Sequence, residues 1–176
     1  LLHDIGKVGI SDDVLLKPGR LTDEEFDLIK QHPECGYKLL VRLAALGDLL
    51  PGVLHHHEAY DGQGYPHGLV GEDIPLTARI LAVADAWDAM TSDRPYRPGM
   101  PWEKAMSILR DGAGGQWDAR VVDAFFAIIE EVKEITLSWE DHLQGILKPA
   151  TKAVVPSIDF QASLTQASTA LSDVGL

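Results

Sequence analysis

Proline placement constrains the fold of this chain more than any other feature. Pro33, Pro75 and Pro101 each stand at the head of a run rich in apolar residues. A proline in the first turn of a helix gives up an N–H that would have no partner there in any case. Another helix start is written differently: Thr22, Asp23, Glu24 and Glu25 have capping-box spacing ahead of Phe26, Leu28 and Ile29. These signals predict helices from about Thr22 to His32 and from Pro33 to about Leu43. Two more run from Pro75 through Ile80, Val83, Ala84 and Trp87 to about Thr91, and from Pro101 onward. A further helix leads from about Pro51 to a run of histidines, and Val121 to Val132 is the apolar core of the last long one. The glycine-rich stretch from Asp61 to Asp73, with Pro66 in it, must be a long loop. Strand signals are weak throughout, so the expected architecture is an all-α bundle.

At 176 residues and 45% apolar composition the chain can bury one domain core. Charge almost vanishes beyond Lys148, which leaves Lys152, Asp159 and Asp173. Residues 1–147 are therefore expected to form the domain and 148–176 a linker or tail. A helix from Phe160 to Leu171 there is the possible entry to another domain. The chain opens on Leu1-Leu2-His3-Asp4 in what reads as the end of an apolar helix stopped near Gly6, as expected of a fragment that lacks its first helices. No stretch approaches the roughly 18 apolar residues of a membrane span. With Cys35 as the one cysteine, an internal disulfide and a thiolate metal cage are excluded, and a cytoplasmic setting is expected. A formal charge of −12 repels a nucleic-acid backbone, so no nucleic-acid polymer is expected as partner. An anionic substrate would need local cations, such as bound metals and a few placed arginines.

Seven histidines, with His55, His56 and His57 consecutive, show where chemistry should be sought. His3 and Asp4 diverge by about 100° on a helix and can flank a metal site while the carboxylate bridges two ions. Lys7 returns to the same face. His56-His57-Glu58 is followed by Asp61-Gly62 and Gly64-Tyr65-Pro66. Imidazoles are common metal ligands, and Glu58 and Asp61 are close enough in sequence to orient the ring nitrogens. The turn presents the Tyr65 ring beside them, as a surface on which a base can stack. Asp85 and Asp88 interrupt the apolar run of Ile80 to Met90, where a buried carboxylate needs a metal or an arginine. Asp85 is the ligand candidate, and Asp88 either joins it or caps or pairs structurally. In Ser92-Asp93-Arg94-Pro95-Tyr96-Arg97 two arginines flank a stiff turn, suited to bidentate contact with phosphate or guanine. His32, at a helix junction, is a further possible ligand, while Cys35, His55, His67 and His142 are left outside the chemistry.

Three stretches together resemble the HD-GYP family of the HD superfamily: His3-Asp4-Ile5-Gly6-Lys7, His56 through Pro66, and Asp85 to Arg97. Lys17-Pro18-Gly19-Arg20-Leu21-Thr22 and His32-Pro33 fit the same pattern. The resemblance runs from Leu1 to about Val132. It implies an HD-superfamily helical bundle with two or three divalent metal ions, iron or manganese, that hydrolyses cyclic di-GMP to pGpG or GMP. Carried over, His3, Asp4, His32, His56, His57 and Asp85 resemble metal ligands, with Asp4 bridging. Lys7 resembles the catalytic lysine, and Tyr65, Arg94 and Arg97 resemble substrate contacts. An upstream sensory or receiver domain is a possible neighbour in the full-length chain. The pattern departs from the family at Trp117 and Ala119, where phenylalanine and proline are usual, and a helix with a further ligand histidine is missing upstream. The alternatives are a catalytically silent module that binds cyclic di-GMP or a protein, and another HD-superfamily nucleotide phosphohydrolase.

Overall fold

The computed structural model describes residues 2–93, 98–136 and 138. Among these residues there is no strand, only an isolated bridge between Ala113 and Trp117. The chain forms α1 (Asp12–Leu15), α2 (Asp23–Ile29), α3 (His32–Leu40), α4 (Leu50–His55), α5 (Leu76–Thr91), α6 (Trp102–Asp111) and α7 (Ala119–Ala127). Short 3-10 turns lie at Ile5–Gly9, Ala44–Leu49 and Gly71–Asp73, and residues 129–136 are again helical. The expected linker at 148–176 and the expected helix from Phe160 to Leu171 lie outside the described residues.

The local signals operate as their chemistry requires. Thr22 Oγ1 accepts from the Glu25 N–H while the Glu25 carboxylate accepts from the Thr22 N–H, which satisfies two otherwise orphaned donors of α2. Pro33 lies in the first turn of α3, and Pro75 and Pro101 are the N-cap residues of α5 and α6. Three boundaries differ from expectation. The opening segment is not the end of an apolar helix: Ile5–Gly9 is a 3-10 turn with Gly6 buried inside it, because the segment lies directly on α3. α3 stops at Leu40 instead of Leu43, where a tighter bond from the Leu43 N–H to the Leu40 carbonyl leads into the Ala44–Leu49 turn. The last helix breaks at Ile128, whose φ of −115° and ψ of 19° lie away from helical geometry.

α5 is the hub. Its Val83, Ala86, Trp87 and Met90 pack with Ala105 and Leu109 of α6, Trp117, and Val122 of α7 in the main core. At roughly 1.5–3 kcal/mol for each large apolar side chain removed from water, this cluster dominates the stabilisation. A smaller cluster of Leu40, Leu50 and Val53 joins α3 to α4. α4 packs against both α3 and α5, and α3 carries the Ile5–Gly9 turn on its other flank. The junction of that turn with α3, α4 and α5 is where the histidines meet.

Candidate metal centre

Each arm of the site is held by a different element. His3 and Asp4 precede the Ile5–Gly9 turn, His32 is the first residue of α3, His56 and His57 follow the last residue of α4, and Asp85 lies within α5. Asp4 is central. Its Oδ1 is 3.2 Å from His32 Nε2 and 3.9 Å from His56 Nε2. Its Oδ2 is 2.6 Å from Lys7 Nζ and 3.6 Å from His3 Nε2, and His3 Nε2 is in turn 3.3 Å from Asp85 Oδ1. One donor atom from each of Asp4, His32, His56 and His57 lies within 4.8 Å of the others. The six sequence candidates for metal ligation therefore surround one small region.

The backbone decides which ring nitrogens face that region. The Ile29 carbonyl accepts from His32 Nδ1 at 2.7 Å, and the Val53 carbonyl accepts from His56 Nδ1 at 2.8 Å. With their protons assigned to Nδ1 by these carbonyls, both rings aim unprotonated Nε2 lone pairs inward, 3.3 Å apart. Burial, followed by the neighbouring His3 and His32, lowers the His56 imidazole to about 4. Burial, followed by His56 and His32, holds His57 well below its ordinary value. For Asp4, burial is the largest influence and pushes upward. The contact with His32, the Lys7 ammonium and His3 outweigh it, so the carboxyl lies far below the usual range and is an anion. Asp4 Oδ1 and His3 Nδ1 are buried without a hydrogen bond; with its proton on Nδ1, His32 has none on Nε2 to give Oδ1 across their 3.2 Å approach. Lone pairs and an anionic oxygen that converge without protons between them repel one another, and a cation relieves that repulsion. The donor set fits a divalent first-row transition metal, with imidazole and carboxylate ligands oriented by carbonyl bonds.

The long loop closes one side. The Tyr65 ring stacks on His57, with centroids 4.7 Å apart and an interplanar angle of 23°, and meets the edge of Phe26. Burial, with Asp4 and Asp85 nearby, pushes the Tyr65 phenol up, so it stays neutral. Glu58 and Asp61 do not orient the ring of His56 as expected. Glu58 accepts from the His67 and Leu69 N–H groups at 2.8 and 3.0 Å, and Asp61 accepts from the Gln63 backbone and side chain. Both carboxylates shape the loop, and the Val53 carbonyl has the role foreseen for them. The Tyr60 and Asp61 N–H groups also bond the Gln116 and Gly115 carbonyls, which ties the loop to the turn before α7.

Asp88 accepts from Ser92 Oγ at 2.7 Å at the end of α5. Arg94, Arg97 and His142 lie outside the described residues. Sequence reading missed Asp118, the N-cap of α7, which is buried and receives Arg79 Nη1 at 2.5 Å and Arg120 Nη2 at 3.1 Å. This cluster couples α5 to α7. A capping aspartate before an arginine was the only signal available for it.

A family model described as "HD domain" matches residues 1–121. The cyclic di-GMP phosphodiesterase response regulator RpfG of Xanthomonas campestris is 48% identical over 138 residues, which cover 76% of this chain and 36% of that protein. The 3'3'-cGAMP-specific phosphodiesterase 3 of Vibrio cholerae is 41% identical over 111 residues, 63% of this chain and 24% of that protein. A crystal structure of a cyclic GMP-AMP specific phosphodiesterase from Vibrio cholerae superposes with a TM-score of 0.57 at 20% identity, over 98% of this chain and 47% of that one, which is a likeness in fold. The chain thus spans about a quarter to two fifths of the length of the curated relatives it matches.

Proposed function

The chain belongs to the HD domain family, in its HD-GYP branch, and from that membership we propose that the protein containing it is a metal-dependent phosphodiesterase of cyclic di-GMP, with pGpG or GMP as product. The observation that carries the reading is the division of Asp4: one oxygen faces the His32 and His56 lone pairs, the other faces His3 and Lys7. In this reading His3, Asp4, His32, His56, His57 and Asp85 would hold two or three divalent ions, iron or manganese, and Asp4 would serve both halves of the donor set through its two oxygens. Bound ions of that kind lower the pKa of water and offset charge that grows on a phosphoryl group.

The chain's own residues bind and orient. Lys7 Nζ, at a partly exposed position beside Asp4, offsets charge on a phosphoryl or leaving oxygen in the transition state. Tyr65, locked against His57, is a neutral aromatic and hydroxyl contact for a guanine base. Arg94 and Arg97 hold phosphate or the acceptor edge of guanine, which provides the local cations that a chain of net charge −12 requires. The response-regulator name of one relative supports a receiver-type domain in the rest of the protein, and a second-messenger substrate implies a cytoplasmic setting.

Relatives named 3'3'-cGAMP-specific phosphodiesterases at 34–41% identity favour a second reading, in which the same centre cleaves the mixed cyclic dinucleotide. The test is the full-length protein, loaded anaerobically with Fe²⁺ or Mn²⁺ and given each dinucleotide, with products separated by chromatography. Preferential cleavage of cyclic di-GMP, lost in Asp4→Ala, is expected. Cleavage of cGAMP alone would replace the substrate, and binding of both without cleavage by metal-replete protein would establish the silent-module alternative.

A further inference from the structure

We propose that His55, Glu58 and His67 form a second divalent-cation site, of zinc type, separate from the centre around Asp4. One donor atom from each of the three lies within 4.8 Å of the others. The two imidazole rings flank the carboxylate with centroids 5.2 Å apart. Tetrahedral zinc with bonds of about 2.0–2.1 Å places its ligand atoms roughly 3.3 Å from one another. His55 Nδ1 and Glu58 Oε1, at 3.5 Å, already have nearly that spacing. His67 has to close the remaining gap. Its side chain is 46% exposed, so a rotation of the ring brings it in without disturbing packed neighbours.

Glu58 is the reason to expect a cation here. Its side chain is fully buried, and among the described residues no lysine or arginine forms an ion pair with it. Two backbone N–H groups occupy one acceptor position on each oxygen, and a carboxylate has about four. A further position, on Oε1, faces His55 Nδ1 at 3.5 Å, a long contact, and one donor atom of His67 lies within 4.8 Å of both. Glu34, on α3, has Oε1 4.0 Å from His67 Nε2 and can supply the fourth ligand. Two nitrogen donors with carboxylate suit zinc and its neighbours, whereas calcium and magnesium call for oxygen shells. An ion at this position would join the end of α4, the loop that carries Tyr65, and α3. It would hold that loop against the helices without touching the donors of the first centre.

The experiment uses the full-length protein with its first centre loaded with Mn²⁺, then titrated with Co²⁺ and, separately, with Zn²⁺. Wild type should take up one further equivalent and develop the visible absorption of tetrahedral Co²⁺. His67→Gln and His55→Gln should each weaken that equivalent by roughly tenfold or more, with Mn²⁺ content unchanged. Asp4→Ala, which disables the first centre, should keep it, with circular dichroism to verify the fold. The proposal is overturned if the folded His67→Gln variant binds the extra Co²⁺ or Zn²⁺ as wild type does, or if folded Asp4→Ala shows no such equivalent.

Discussion

Gly6→Ala should damage the metal centre without a new side chain entering it. A Cβ at position 6 would lie 1.9 Å from the His32 carbonyl oxygen and 2.5 Å from the Gly36 N–H nitrogen, both backbone atoms of α3. Ordinary contact begins at 3.4 Å. The Ile5–Gly9 turn must therefore retreat from α3 by about 1.5 Å, the shortfall between ordinary and forced contact. Asp4 and His3 are attached to that turn, and His32 is attached to α3. Metal bonds tolerate displacements of about 0.2 Å, so the two halves of the donor set no longer fit one ion unless the clash is restored on binding. Overpacking of this kind costs about 1–3 kcal/mol, which corresponds to roughly one to two decades in metal affinity. Chelator competition on the full-length protein measures it. Gly47→Ala is the matched control, since a Cβ at position 47 meets nothing within 4 Å. If Gly6→Ala binds metal as tightly as Gly47→Ala, the claim that this turn positions Asp4 against His32 is refuted.

Asp4→Ala should abolish both metal content and hydrolysis, because the other carboxylate of the donor set, Asp85, forms an ion-pair contact only with His3 among the described residues. Lys7→Ala should retain metal and lose about 10²-fold or more in kcat; loss of metal by elemental analysis would make Lys7 a support of Asp4 instead. Tyr65→Phe keeps the stack on His57 and should leave metal content intact, while Tyr65→Ala and Arg94→Ala should impair substrate use at unchanged metal content. The pH dependence follows from His56, which burial first, then His3 and His32, lower to about 4 in the fold, against about 6.5 unfolded. Between these values the unfolded chain binds the extra proton, so metal-free protein should lose up to about 3 kcal/mol as pH falls from 6.5 to 4 and be at its plateau above 6.5. Equal urea midpoints at pH 7 and pH 4.5 would count against a buried neutral His56.

Helix starts were legible because each depends on a residue acting locally. Thr22 and Glu25 exchange two hydrogen bonds within one turn, and Pro33 in α3 and Pro75 before α5 need no partner beyond their own helix. Helix ends were less so. The stop of α3 at Leu40 and the break at Ile128 have neither glycine nor proline to mark them, and they follow from where the chain must go next. The same division holds at the site. His3, Asp4, His32, His56, His57 and Asp85 could be named from residue type and motif, but their meeting depends on α3, α4 and α5 packing side by side. The Arg79–Asp118 pair spans 39 positions and connects two helices whose contact no local pattern announces.

Glu58 shows why proximity in sequence is a poor guide to what orients a ligand. A carboxylate one or two positions from a histidine on a turn points elsewhere, since adjacent side chains diverge. The group that returns to the same face is three or four positions away, and at a helix end its carbonyl has no helical donor left to satisfy it. Ile29 stands three residues before His32 and Val53 three before His56. Both rings are thus fixed by one device, a terminal carbonyl that accepts the Nδ1 proton and turns Nε2 inward. The device requires no particular side chain at position 29 or 53, which is why residue types could not reveal it. It also releases Glu58 to bind the loop that carries Tyr65. Removing the Glu58 charge should consequently disturb the Tyr65 loop before it disturbs the histidine tautomers, an order opposite to the one its place in the motif suggests.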